Sequence, residues 1–164
     1  MLRLYLDSSV IVKRYVSEPD SHTVDYIFDK GWAGEISIAT SIWNIGEVLG
    51  ILDERRRRKW LTESEFTKAL ENFTSEVVRL LHLKTLEIFP VLSQMLIGTW
   101  PIILKEHVYE ADALQIQTCI YSSSNVLLSA DRKLINAAIK LGLKAINIKD
   151  ENKVKELISE NRNL

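Results

Sequence analysis

Leu2, Leu4 and Leu6 alternate with Arg3 and Tyr5, a period of two that predicts a short strand over residues 2–6. Behind it the apolar spacing lengthens. Val10, Ile11 and Tyr15 predict a helix capped by Ser8 or Ser9, since a serine hydroxyl can accept from a free first-turn N–H. Pro19 and Asp20 open the next helix, with Val24, Ile27 and Phe28 on one stripe. Ile36 and Ile38 mark a second strand, after which Thr40 or Ser41 caps a long helix reaching about Lys59. Ile42, Ile45, Leu49 and Leu52 take the core spacing of that helix, and Glu47 shares a neighbouring face with Asn44 and Ile51. Gly46 and Gly50 are expected to leave room there for close backbone approach.

Thr62 followed by Glu65 is a capping-box signature, and Phe66, Leu70, Phe73 and Val77 continue that helix. Leu86 to Phe89 reads as a strand closed by Pro90, whereas 91–103 mixes apolar residues with Gly98 and Pro101 and fits neither period. A helix from about Lys105 to Tyr121 carries Val108, Asp112, Ile116 and Cys119 on one stripe. Val126 to Leu128 form a strand that runs into Ser129 and Asp131; Ile135, Ala138 and Ile139 form a helix stopped by Gly142; Ala145 to Ile148 form a last strand. Alternation of strands and helices predicts an α/β fold with a parallel sheet covered on both faces. No repeat or linker divides the chain, so residues 1–148 read as one domain and 149–164 as a charged helix or tail.

Composition narrows the partners. The 21 basic and 22 acidic residues among 164 exclude a generally cationic nucleic-acid module, but leave open a local cationic rim. A single cysteine, Cys119, cannot form an intrachain disulfide and fits a reducing interior. Arg3, Asp7 and Lys13 interrupt any signal-peptide pattern, and no stretch supplies the ~20 apolar residues of a membrane span. A soluble, cytoplasmic protein is expected.

The chemistry is carried by acids. Asp7 and Asp131 each follow a predicted strand, where open parallel sheets bind ligands. Glu47 and Asp112 lie in the first turns of helices that can start from the same rim. Four carboxylates brought together repel one another and call for a cation. Oxygen donors without a Cys/His cluster suit Mg2+ or Mn2+ better than Zn2+. Taken singly, Asp7 and Asp131 also read as helix caps, Glu47 as a surface acid and Asp112 as the partner of an internal arginine. Ser8, Asn44 and Ser129 are candidates to support the acids by hydrogen bonding, or are plain caps. Of the histidines, only His107 lies close enough in sequence to Asp112 to reach the rim.

Four segments in this order resemble the PIN-domain ribonucleases, above all the VapC toxins of VapBC toxin–antitoxin pairs. They are Leu4-Tyr5-Leu6-Asp7-Ser8-Ser9-Val10, Asn44-Ile45-Gly46-Glu47-Val48, Tyr109-Glu110-Ala111-Asp112-Ala113-Leu114 and Leu128-Ser129-Ala130-Asp131-Arg132-Lys133-Leu134. The resemblance implies a three-layer α/β/α sandwich with a helical pair at about 40–85, and a metal-dependent endoribonuclease leaving 5′-phosphate and 3′-hydroxyl ends. It also implies a homodimer and a VapB-like antitoxin partner. Its acids correspond to Asp7, Glu47, Asp112 and Asp131. Many relatives place a further acid or Asn shortly after the last aspartate, where this chain has Arg132 and Lys133.

On that resemblance, Asp7, Asp112 and Asp131 are expected to ligate one Mg2+ or Mn2+, with Glu47 sharing the ion and acting on the attacking water. RNA needs cations beside the acids, for which Lys13, Arg14, Arg132 and Lys133 are candidates, with Arg55 and Arg58 in the basic run after Glu47. Trp43 and Trp60, with the 62–83 helix, are candidates for a dimer or antitoxin surface, or for ordinary core. The alternative to an enzyme is a degenerate PIN-like scaffold that binds RNA or assembles with partners without cutting.

Overall fold

The structure, a computed structural model, describes residues 1–161. Five parallel strands, β1 (Leu2–Leu6), β2 (Ile36–Ser41), β3 (Leu86–Phe89), β4 (Val126–Ser129) and β5 (Ala145–Asn147), form one sheet in the order β3-β2-β1-β4-β5. The helices are α1 (Ser8–Ile11), continued by a 3-10 turn at Val12–Arg14, α2 (Ser21–Trp32), α3 (Ile42–Arg57), α4 (Glu63–His82), α5 (Ser93–Glu106), α6 (Glu110–Tyr121), α7 (Arg132–Lys140) and α8 (Glu151–Glu160).

Strand alternation builds the layers. Leu2, Leu4, Leu6, Ile36, Ile38, Val126 and Leu128 join one core with residues of α1 to α4, while Tyr5, Ala39 and Leu127 point to a second core with residues of α5, α6 and α7. The result is a three-layer α/β/α sandwich. Each fully buried aliphatic side chain in these cores contributes about 1.5–3 kcal/mol of transfer free energy. The last helix belongs to this packing: Val154, Leu157 and Ile158 are buried in the first core, so 151–160 is an amphipathic element rather than a frayed tail.

Several expectations are corrected. The inward stripe of α3 is Asn44, Val48 and Leu52, while Ile42 and Leu49 are exposed. The helix is turned so that Asn44 can bond Thr40 Oγ1 and the Leu6 carbonyl beneath it. A Cβ at Gly46 or Gly50 would meet nothing within 4 Å. Close approach occurs instead at Gly98 in α5, where a Cβ would stand 2.9 Å from Gln117 Cδ and Gln117 Nε2 donates to the Gly98 carbonyl at 2.9 Å. The ambiguous 91–103 stretch lies largely in α5, with Met95, Thr99 and Ile102 buried and Pro101 inside the helix. The helix expected from Lys105 is broken at His107, whose left-handed backbone (φ 54°) ends α5; α6 starts at Glu110.

Candidate active site

All strands are parallel, so their carboxyl ends share one rim. Chain connections leave β1 toward β2 on one side and arrive at β4 on the other. That reversal opens a crevice between β1 and β4 at the rim, the preferred ligand position in such sheets. Asp7 follows β1 and Asp131 follows β4.

Asp7 is buried and is itself the cap of α1, accepting from Val10 N–H at 3.1 Å; the expected serine caps do not form. Ser9 Oγ donates to Asp7 Oδ1 at 2.7 Å and Ser129 Oγ to Asp7 Oδ2 at 2.6 Å. The same hydroxyls accept from Ala130 N–H and Asp131 N–H, both at 2.9 Å, and so tie the β4 loop to Asp7. Ser129 is thus bonded directly to the acid. Ser8 makes no side-chain hydrogen bond among the described residues, and Ser9 takes that place. Burial is the main force on Asp7 and pushes its pKa up to about 6 against these donors, with Glu47 adding repulsion.

Asp112, half-buried in the first turn of α6, is also raised, by burial first, then by Asp131, with Glu47 a smaller contributor; the Tyr109 backbone and Lys133 oppose the shift. Asp131 caps α7, its Oδ1 accepting from Lys133 N–H at 2.6 Å and Leu134 N–H at 3.4 Å. Glu47, in the second turn of α3, accepts from Trp43 Nε1 at 2.9 Å and Gln115 Nε2 at 3.4 Å. The four acids thus lie at one end of the sheet and act electrostatically on one another, although no three His, Cys, Asp or Glu side chains among the described residues form a ready-made ligand group. Each is held by donors of its own, and drawing like charges closer costs free energy until a cation joins them. Their oxygen-only chemistry and mutual repulsion fit a hard divalent ion that keeps part of its water shell.

The expected cationic rim divides. Lys13 is buried, donating to Glu18 at 3.0 Å and to the Pro19 carbonyl at 2.9 Å. Arg14 spans Asp25 (2.8 Å) and Glu76 (2.9 Å). Arg55 pairs with Glu18 and Arg58 with Glu54, the latter also lying over Trp60. These arginines and Lys13 are occupied by carboxylates of their own fold. Arg132 and Lys133 are exposed, have no ion pair among the described residues, and flank Asp131. His107 is exposed and borders a hollow of about 270 Å³ with Lys133. Trp43 and Trp60 are exposed rather than core.

Ser9, expected only as a helix cap, instead donates to Asp7, and the roles of Gln115 and of Trp43 as donors to Glu47 are not expected from the sequence. Spacing signals them: Trp43 stands four residues before Glu47, and Gln115 three after Asp112.

A model of the PIN domain matches residues 4–140. No curated protein matches the chain. Among solved structures, PAE2754 from Pyrobaculum aerophilum is 15% identical with a TM-score of 0.65, the alignment covering 99% of this chain and 97% of that one. FitAcB from Neisseria gonorrhoeae is 14% identical with a TM-score of 0.64, over 90% of this chain and 99% of that one. VapC20 from Mycobacterium tuberculosis, a sarcin-ricin loop cleaving toxin, is 14% identical with a TM-score of 0.59, over 82% and 94%.

Proposed function

Because the chain belongs to the PIN-domain family, we propose that its rim of acids serves a Mg2+- or Mn2+-dependent endoribonuclease, the toxin of a toxin–antitoxin pair. The observation that supports this reading best is that Asp7, Glu47, Asp112 and Asp131, from four separate segments, lie at the carboxyl rim of the sheet near enough to raise one another's proton affinity, Glu47 acting on Asp7, and Asp131 and Glu47 on Asp112. Likeness in fold to a toxin that cleaves the sarcin-ricin loop favours RNA as substrate.

In this reading Asp7, Asp112 and Asp131 would hold the ion. Ser9 and Ser129 fix the Asp7 carboxylate through their hydroxyls, and Glu47 would orient the attacking water and accept its proton. A bound Mg2+ or Mn2+ supplies charge neutralisation at the scissile phosphate and a water of lowered pKa. Arg132 and Lys133 receive neighbouring phosphates. A homodimer would cover the apolar face of α5, where Leu96, Ile97, Trp100 and Leu104 are exposed.

The test is cleavage of a mixed RNA pool with and without Mg2+. Asp7→Asn should reduce metal-dependent cleavage by at least about 100-fold, the upper end of the losses seen when groups that only support metal ligands are altered, while the protein stays folded. Metal-independent RNA binding without cuts by the unaltered protein would replace this reading with that of a scaffold.

A further inference from the structure

Beneath Glu47 runs a buried chain of polar side chains with a fixed direction. Its anchor is the carbonyl of Leu6, the residue before Asp7, which can only accept. Asn44 Nδ2 donates to that carbonyl at 3.1 Å and to Thr40 Oγ1 at 2.8 Å, so the amide's oxygen must face the other way. There it accepts from Gln115 Nε2 at 2.5 Å, and Gln115 Oε1 accepts from Tyr5 O–H at 2.5 Å. Flipping Gln115 would set its oxygen against Asn44 Oδ1, and flipping Asn44 would set oxygen against the Leu6 carbonyl. The second N–H of Gln115 is thereby committed to Glu47 Oε2, at 3.4 Å. The other carboxylate oxygen, Oε1, takes the Trp43 indole N–H at 2.9 Å. Tyr5, Asn44 and Gln115 are all nine-tenths or more buried, so the donor under Glu47 cannot rotate to follow it.

We propose that Gln115 and Trp43 are positioning residues that clamp the two oxygens of Glu47, fixing its carboxylate toward the crevice through the Leu6–Asn44–Gln115 chain. The proposal rests on the assignment of Glu47 to metal-dependent RNA cleavage. A glutamate on its own has three side-chain torsions to freeze, and a group that must hold a water within a few tenths of an ångström gains from a rigid support.

Two variants test the clamp. Trp43→Phe keeps an aromatic ring at a half-exposed position and removes only the N–H; Gln115→Met keeps the volume and removes both polar atoms. Mn2+ binding to the protein without RNA is measured by calorimetry, and cleavage is measured as kcat and KM. Each variant should weaken Mn2+ binding by about tenfold, the lower end of losses seen for groups that orient metal ligands, and lower kcat with KM for RNA unchanged. In a Glu47→Ala background neither change should have any further effect, because its target is gone. Losses that persist undiminished in that background, or a Trp43→Phe protein equal to the parent in both readouts, would overturn the clamp. If Glu47→Ala alone binds Mn2+ and cleaves like the parent, the assignment of Glu47 itself fails, and the clamp with it. Should Gln115→Met melt too low to assay, Trp43→Phe decides alone.

Discussion

At the scale of single residues, Asp7 carries a cost that its position explains. Its carboxyl is buried, and burial raises its pKa from the ordinary 3.8 to about 6. Folded protein therefore keeps the proton over a range in which the unfolded chain has lost it. Stability should fall as pH rises from about 4 to about 6, and above that the ionised carboxylate costs on the order of 3 kcal/mol. Asparagine caps helices well, so Asp7→Asn should melt higher than the parent at pH 7.5, with the gap closing below pH 4. Calorimetric scans across pH check this, and a variant that melts lower at pH 7.5 would contradict it. Addition of Mn2+ should also raise the parent's melting temperature more at pH 7.5 than at pH 5, where protons compete for Asp7; an equal rise at both would count against a shared site.

The position of the acids at one rim was legible in the sequence because strand ends and helix starts are local signals, and both Asp7 and Asp131 are caps as well as proposed metal ligands. Their supporting side chains were less so. Gln115 and Tyr5 meet across 110 positions, a contact that no local pattern encodes.

Among the elements, most helices were legible, whereas α5 and the rotation of α3 were not. Thr62 and Glu65 form the full capping box read from their spacing, and Thr62→Ala should cost about 1 kcal/mol in a denaturant titration with RNA cleavage unaffected; a change in cleavage would tie α4 to the site. For α3, apolar spacing selected Ile42 and Leu49, but a polar residue, Asn44, sets the inward face. A satisfied buried amide outweighed two aliphatic side chains that then remained exposed, and hydrophobic periodicity cannot register that trade. The α5/α6 break at His107 was hidden for a similar reason: neither Gly nor Pro marks it, and the two helices it separates meet at Gly98 and Gln117, a contact across 19 positions.

For the whole molecule, the parallel sheet was readable from alternation, and its strand order makes the β1/β4 crevice the place where distant segments meet. Charge did not advertise a nucleic-acid partner, since most of the basic run after Glu47 is neutralised within the fold. Arg132 and Lys133 have no ion pair among the described residues; if they receive RNA phosphates as proposed, their double replacement by Ser should raise KM for RNA and reduce the salt dependence of binding by about two counterions, and an unchanged salt slope would remove them from the interface. Trp100→Glu on the exposed face of α5 should convert the expected dimer to a monomer in sedimentation equilibrium, and a parent protein that is already monomeric would dismiss that surface.

One divalent ion is proposed to answer to Asp7, Glu47, Asp112 and Asp131 together. A crystal of the protein soaked in Mn2+ tests this most directly. Anomalous scattering should show the metal in the β1/β4 crevice within bonding distance of Asp7 and at least one of Asp112 and Asp131, with Glu47 bound directly or through water. A peak elsewhere on the surface, or none in the crevice at millimolar Mn2+ and neutral pH, would contradict it.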